Sequence, residues 1–288
     1  MTTGTRVLAA IFLVATMLSI ALKVTPDSLR SVAHDRRWWI KALAANVLLM
    51  PLLGWLLVNA MPVSPDTALG LLLLAAAPGG LNAIQFTGRA RGGLSYAAEL
   101  LFVLSFLSFL ISPLVVAVIL PPGLSLTLPY GRVVAILLGC VVFPLVGGLA
   151  FRKARPRLAE RLAGPMVLLG TGAFVAVVVL LLSWRAEAAS ELTRVDLAAM
   201  LTFILAAMGL GWLMGGPDTG ARNVLATATS MRNAALALAI AVNSFPDRRA
   251  DLAIIVFSGL MIPPNALLMV YHMARDKWRQ HHAKVAGT

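Results

Sequence analysis

The sequence predicts an all-α polytopic membrane protein with about nine transmembrane helices, and three observations carry that reading. First, 59% of the 288 residues are hydrophobic and only 12% charged, with a mean hydropathy of +0.87; a soluble domain is nearer half apolar and a quarter charged. Second, the apolar residues fall in charge-free runs of about twenty, such as 100–120 and 164–183, long enough to cross a bilayer's hydrocarbon core as helices. Third, lysine and arginine alternate between the two sides of the segments so defined.

The expected spans lie near 5–22, 39–60, 68–88, 94–120, 131–151, 163–183, 195–214, 223–243 and 250–273, with a basic tail over 274–288. The first, RVLAAIFLVATMLSIALKV, has one positive charge before its apolar run but no small-x-small cleavage site before Lys23, so it is expected to remain in the chain. The second follows Trp38 and Trp39, which, like Trp278 beyond the ninth, suit an interfacial aromatic belt; it also carries an amide, Asn46. The third is interrupted by Pro78, Gly79 and Gly80, and the fourth holds an acid, Glu99, a turn or two from the basic 89–93 loop. Cys140, the single cysteine, lies in the fifth, so no disulfide or thiolate metal cluster can form within the chain. The sixth is entered through FRKARPRLAERL (151–162), a loop able to attract anionic lipid headgroups. The seventh is an unbroken apolar run, and the eighth carries Thr227, Thr229, Ser230, Arg232 and Asn233. The ninth ends at His272; with His34 in a loop and His281 and His282 in the tail, the histidines form no metal-ligand set.

The net charge of +12 is a topology signal and implies no nucleic-acid partner. One set of alternate loops holds Lys23, Arg30, Arg36, Arg37 and Lys41, then Arg89 and Arg91, then the five basic residues of 151–162, then Arg222, and finally the four of the tail. That is seventeen of the 24 basic residues; six lie on the other side, and Arg232 is the last. The excess places the C-terminus in the cytoplasm and the N-terminus outside, in a plasma (inner) membrane.

Arg232 lies about nine residues from either end of its span, roughly 14 Å. A central arginine costs at least about 2.5–3.5 kcal/mol on insertion scales, and intramembrane ions face a cavity or a partner. Two readings stand: a functional cation bordering a cavity, and a structural pair with Glu99. The broken third span bears on the choice. Proline removes a donor and glycines resist unwinding weakly, and freed backbone survives in lipid only against protein or a water-lined hollow. Two interrupted helices, one per half, are the pattern of inverted-repeat secondary transporters, whose substrates bind at the midplane. No paired aspartates, serine with a base, or histidine-glutamate metal motif lies at membrane depth, so the chain is read as a carrier and no enzyme.

The stretches MLSIALKVTPDSLRSV (17–32), NVLLMPLLGWLL (46–57), APGGLNAIQFTGRARGGLS (77–95) and SMRNAALALAIA (230–241) together resemble, in order, the bile acid:sodium symporter family. The resemblance covers nearly the whole chain; its specific parts are the Pro-Gly-Gly element and the late x-N-x-x-L-A-x-A-x-A element. It implies one membrane domain over 1–273, with a panel (spans near 5–22, 131–151 and 163–183) beside a core (near 39–120 and 195–273). Spans 3 and 8 would cross in that core, and transport would proceed by alternating access. Ten-helix members begin with one more helix than the nine expected here.

The departures are informative. Sodium-coupled members read E-x-G-M-Q-N where this chain reads ATSMRN, so Ala228 replaces the glutamate and Arg232 the glutamine. After Gly-Gly those members carry hydroxyls and an asparagine; here the residues are Leu81, Asn82, Ala83, Ile84 and Gln85. The expected hydroxyl positions further on are Ala97 and Leu101 when counted from the glycine loop, whereas counting from Ser112-Pro113 makes Ser105 a candidate; Asn46 matches a family amide position. Sodium, a hard cation, needs about five or six oxygens, and most are missing. A site with one glutamate and two sodium ions carries one net positive charge, as does a site with Arg232 and no glutamate. The guanidinium is therefore expected to replace the exchangeable ions and to set a positive pocket, its planar fork suiting a carboxylate.

The resulting expectation is a secondary transporter of an organic anion, a carboxylate or bile-acid-like molecule, that is not coupled to two sodium ions. A sodium-coupled symporter with a shifted ion site and a transport-inactive sensor or scaffold are the alternatives. Substrate-binding candidates are Arg232, Asn233, Thr229, Ser230, Asn82, Gln85, Gly79 and Gly80. Ion-coupling candidates, for Na+ or H+, are Asn46, Ser105, Glu99 and Thr227; no other cofactor is expected.

Overall fold

The computed structural model describes residues 3–25, 35–80, 83, 93–119, 130–184, 192–245 and 247–286. Its regular elements are helical: α1 (Thr3–Lys23), α2 (Arg36–Ala44), α3 (Met50–Ala60), α4 (Pro65–Ala75), α5 (Gly93–Ile119), α6 (Tyr130–Leu137), α7 (Phe143–Ala154), α8 (Pro156–Trp184), α9 (Arg194–Met214), α10 (Thr219–Ser230), α11 (Ala234–Ser244), α12 (Ala250–Leu260) and α13 (Ile262–Ala286). Among the described residues seven stretches are long and apolar enough to cross a membrane: Gly4–Lys23, Arg36–Ala60, Val133–Ala154, Pro156–Leu180, Arg194–Met214, Thr219–Ser244 and Ala250–Arg275. The two arms of α5, which bend by 62° near the internal Pro113, make an eighth, as expected where proline deletes a helical hydrogen bond. Helix α4 is apolar but has eleven residues, too few to span alone; most of the stretch that would continue it lies outside the described residues. The protein is thus an all-helical integral membrane protein.

Two spans contain a π-helical turn, Ala45–Leu49 between α2 and α3 and Leu138–Val142 between α6 and α7. Each turn ends just before a proline, Pro51 or Pro144. Proline has no N–H to give the carbonyl four residues back, and its ring crowds that carbonyl; a wider turn relieves both. The turn in the second span has a further consequence. The Met50 N–H reaches back to the Ala45 carbonyl, and the next amide, Pro51, has no hydrogen, so the Asn46 carbonyl loses its intrahelical partners.

Helices α1, α7 and α8 pack together, with Gly148 of α7 set against Ala21 and Leu18 and the Phe12 and Phe174 rings 5.0 Å apart. The stretch α10–α11 runs wholly inside the protein, where its broken backbone finds protein partners in place of lipid. Capping holds the outer ends of two neighbours: Asp196 and Thr193 form a capping box at the start of α9, and the same Asp196 carboxylate accepts from the Ser64 N–H at 2.8 Å, tying the entry of α4 to α9.

One expectation is corrected. Trp38 and Trp39 are not an interfacial belt; they are 5% and 3% exposed and stack edge to face at 5.4 Å, because the first turn of α2 packs inward on α9. The Trp278 side chain and His34 lie outside what the structure describes. The basic tail is helical for most of its length, since α13 continues to Ala286 through a run rich in good helix formers.

The contact between α9 and α10 is close enough to test. A Cβ built on Gly211 would lie 2.5 Å from the Leu225 carbonyl oxygen and 2.7 Å from the Ala226 Cα, whereas one on Gly209 meets nothing within 4 Å. Gly211→Ala is expected to destabilise by about 1–3 kcal/mol, read as a lower Tm of the purified protein. Gly209→Ala, two residues away on the same helix, should leave Tm unchanged or raise it.

Candidate functional site

The two interrupted segments meet backbone to backbone. After α4 the chain runs non-helically through 77–80, and after α10 through 231–233. The Gly80 N–H donates to the Met231 carbonyl at 3.2 Å, and the Asn233 N–H donates to the Ala77 carbonyl at 3.0 Å. Glycine is required on one side of this pairing: a Cβ at Gly80 would stand 2.6 Å from the carbonyl oxygens of both Met231 and Arg232, while Gly79 has φ +86, which favours glycine.

Arg232 sits at this crossing with 0% exposure. Its Nε donates to the Leu74 carbonyl at 3.0 Å, one Nη to Asn46 Oδ1 at 3.0 Å, and the other to the Ala75 carbonyl at 2.7 Å and the Asn46 carbonyl at 3.5 Å. Each acceptor has a local cause. Leu74 and Ala75 close α4, whose last carbonyls lack the regular donors of a continuing helix and sit at the negative end of the helix dipole; the Leu74 carbonyl also accepts from the Ala77 N–H at 3.0 Å. The Asn46 carbonyl is the one released by the π turn and Pro51. Asn46 Oδ1 is aimed because its Nδ2 is fixed on the Ala42 carbonyl at 3.0 Å. Hydrogen bonds from a charged donor are worth about 1.5–3 kcal/mol each, and four are of the size needed to offset burial of the ion. No carboxylate among the described residues pairs with Arg232, so the alternative reading, a structural pair with Glu99, is not seen there; Glu99, 3% exposed on α5, has a contact of its own. The guanidinium is held inside the protein by these oxygens, and Arg232 also lines the hollow beside the crossing.

That hollow is a cavity of about 40 Å³ between the crossing and the α1–α8 pair, lined by Thr16, Thr171, Gly80, Arg232, Asn233 and Ala234 among others. One water needs about 10–15 Å³ on this measure, so the space suits a group the size of a carboxylate. Asn233 caps α11, its Oδ1 accepting from the Leu236 N–H at 3.0 Å. That orients the amide, and Nδ2 is left buried with no hydrogen-bond partner, as is Thr16 Oγ1 across the cavity. Two donors and the positive end of an eleven-residue half-helix thus face one small space.

The other candidates fall around this centre. Ser105, fully buried, sets its Oγ 3.0 Å from a Cβ position at Gly79, so counting back from Ser112-Pro113 is the register that reaches the break; Ala97 and Leu101 are buried in the apolar core. Ser105 Oγ and Thr227 Oγ1 have no hydrogen-bond partner. Thr229 is turned toward α9, 2.8 Å from the Ala207 carbonyl, and Ser230 Oγ lies 2.8 Å from the Ala226 carbonyl and 3.0 Å from Asn265 Oδ1. Asn82 and Gln85 lie outside the described residues. Two participants escaped the sequence: Asn265, whose only signal is an amide after paired prolines in the last span, and Ser112, whose Oγ donates to the Ala76 carbonyl at 2.6 Å.

Comparison with known proteins was informative at family level. The sequence model described as the Sodium Bile acid symporter family matches residues 10–192, a stretch that includes the first break and ends before the second. The chain is also 22% identical over 269 residues to the "Uncharacterized sodium-dependent transporter YocS" of Bacillus subtilis (strain 168), covering 91% of this chain and 78% of that protein.

The cage makes a stability prediction. Asn46→Leu removes one acceptor from a buried guanidinium and should lower stability by about 2–3 kcal/mol, seen as a Tm fall of about 5–10 °C. Asn46→Asp keeps the acceptor and adds an opposite charge but sets an oxygen against the Ala42 carbonyl in place of Nδ2, so its Tm should fall less than that of Asn46→Leu.

Proposed function

The chain belongs to the sodium bile acid symporter family, and from that premise we propose that it carries a small organic anion by alternating access, without two exchangeable sodium ions. The observation that carries this reading is the Arg232 guanidinium held by four neutral oxygens beside the crossing. A fixed cation there supplies the positive charge that bound sodium supplies in coupled members. It acts on the cavity through its field, while contact with the anion falls to Asn233 Nδ2, Thr16 Oγ1 and the opening amides of α11. In this reading α1 and α6–α8 form the panel and the remaining helices a core of inverted repeats, making nine spans in all. The cavity between panel and core opens to each side in turn, in an inner membrane with the N-terminus outside.

A sodium-coupled alternative has its own support in the buried, unpartnered hydroxyls of Ser105 and Thr227 and in the printed name of the Bacillus subtilis relative. Proteoliposomes separate the two. Uptake of a short-chain carboxylate is expected to be equal with an inward sodium gradient and with potassium on both sides; a strong dependence on the sodium gradient establishes the coupled alternative. Asn233→Asp keeps an oxygen to cap α11 but replaces the free donor with a carboxylate, so it should lower uptake at least about tenfold with Tm little changed. Vesicles in which no organic anion moves under either condition point to a sensor or scaffold.

A further inference from the structure

The oxygens around Arg232 are more than a hydrogen-bond set for one side chain. They come from two separate elements, Asn46 Oδ1 and O from the π turn and Leu74 O and Ala75 O from the end of α4, and the guanidinium is supplied by a third, the α10–α11 break. All four are neutral, and none depends on Arg232 for its position: the π turn follows from Pro51, and α4 ends because 77–80 is drawn into the pairing with 231–233. If the guanidinium were removed, the cage would persist as convergent carbonyl oxygens at the negative end of a helix, inside the protein. Water would have to enter or another cation would have to replace it.

We propose that this cage is a monovalent-cation site whose permanent occupant is the protein's own Arg232, so that emptying it creates a site for a free cation and makes the fold depend on that ion. The site is specified by its atoms. Neutral carbonyl and amide oxygens select a small hard cation or a planar donor over a bulky quaternary ammonium. Free guanidinium reproduces the lost donors, sodium fits as a bare or partly hydrated ion, and choline does not fit. The proposal rests on the sodium-independent reading only for its meaning in transport; its test reads stability, so a natural protein that moves no anion leaves the test intact.

Arg232→Ala, purified at constant ionic strength, is melted in choline, potassium, sodium and low-millimolar guanidinium chlorides, the last far below denaturing concentrations. The natural protein should melt at one temperature in all four. The variant should melt lower in choline and recover by about 5–10 °C in saturating guanidinium, with a smaller saturable gain in sodium. Adding Asn46→Leu to the variant should abolish the recovery. If Arg232→Ala aggregates in choline, it should be monodisperse when purified throughout in guanidinium or sodium. A variant that melts identically in every salt, aggregates in every salt, or keeps its recovery after Asn46→Leu overturns the assignment.

Discussion

A cation buried in a membrane protein with no anion beside it among the described residues is the constraint from which the rest of this structure follows. The Arg232 guanidinium is fully buried, and what surrounds it is carbonyl and amide oxygen. Such an arrangement is possible only where backbone has been released from helices. Pro51 and the π turn release one carbonyl, and the end of α4 offers two more, Leu74 keeping a turn bond from the Ala77 N–H. The breaks at 77–80 and 231–233 then bond to each other, so the strain of two interrupted helices, the satisfaction of their carbonyls and the burial of the ion are one problem with one solution. Removing any part leaves polar groups stranded in a region where neither water nor lipid can serve them.

The same geometry divides the work at the crossing. Negative half-helix ends point at Arg232, while the positive end of α11 points with Asn233 at the cavity. On the proposed reading the charge of the ion reaches the cavity through its field, and the groups that contact the anion are neutral. Neutral donors hold an anion without forming a tight ion pair, which suits a site that must release what it binds. A fixed cation cannot cross or leave, and so, unlike bound sodium, it contributes no gradient energy.

Much of the fold was legible in the sequence. The charge-free apolar runs marked out most of the spans, and Pro78-Gly79-Gly80 marked the first break because no unbroken helix tolerates that triplet. The second break was legible only through Arg232 and its polar neighbours, since ATSMRNAALALAIA contains no proline or glycine. What could not be read was the guanidinium's set of partners. The expectation for Arg232 turned on its fork suiting a carboxylate, and in the structure the fork is filled by the Leu74 and Ala75 carbonyls and by Asn46, far earlier in the chain. No local signal links Asn46 to Arg232, 186 residues apart. Trp38 and Trp39 misled for the opposite reason: tryptophan at a span end has two homes, the interface and the inter-helix core, and only packing decides between them.

The central claim, that the guanidinium and not a free ion fills the cage, is tested most directly by anomalous diffraction from crystals grown in thallium(I), a heavy surrogate for monovalent cations. The account predicts planar side-chain density reaching the Leu74 and Ala75 carbonyls, with no thallium peak among them. A thallium peak bounded by those oxygens and Asn46, with the Arg232 side chain turned elsewhere, would contradict it.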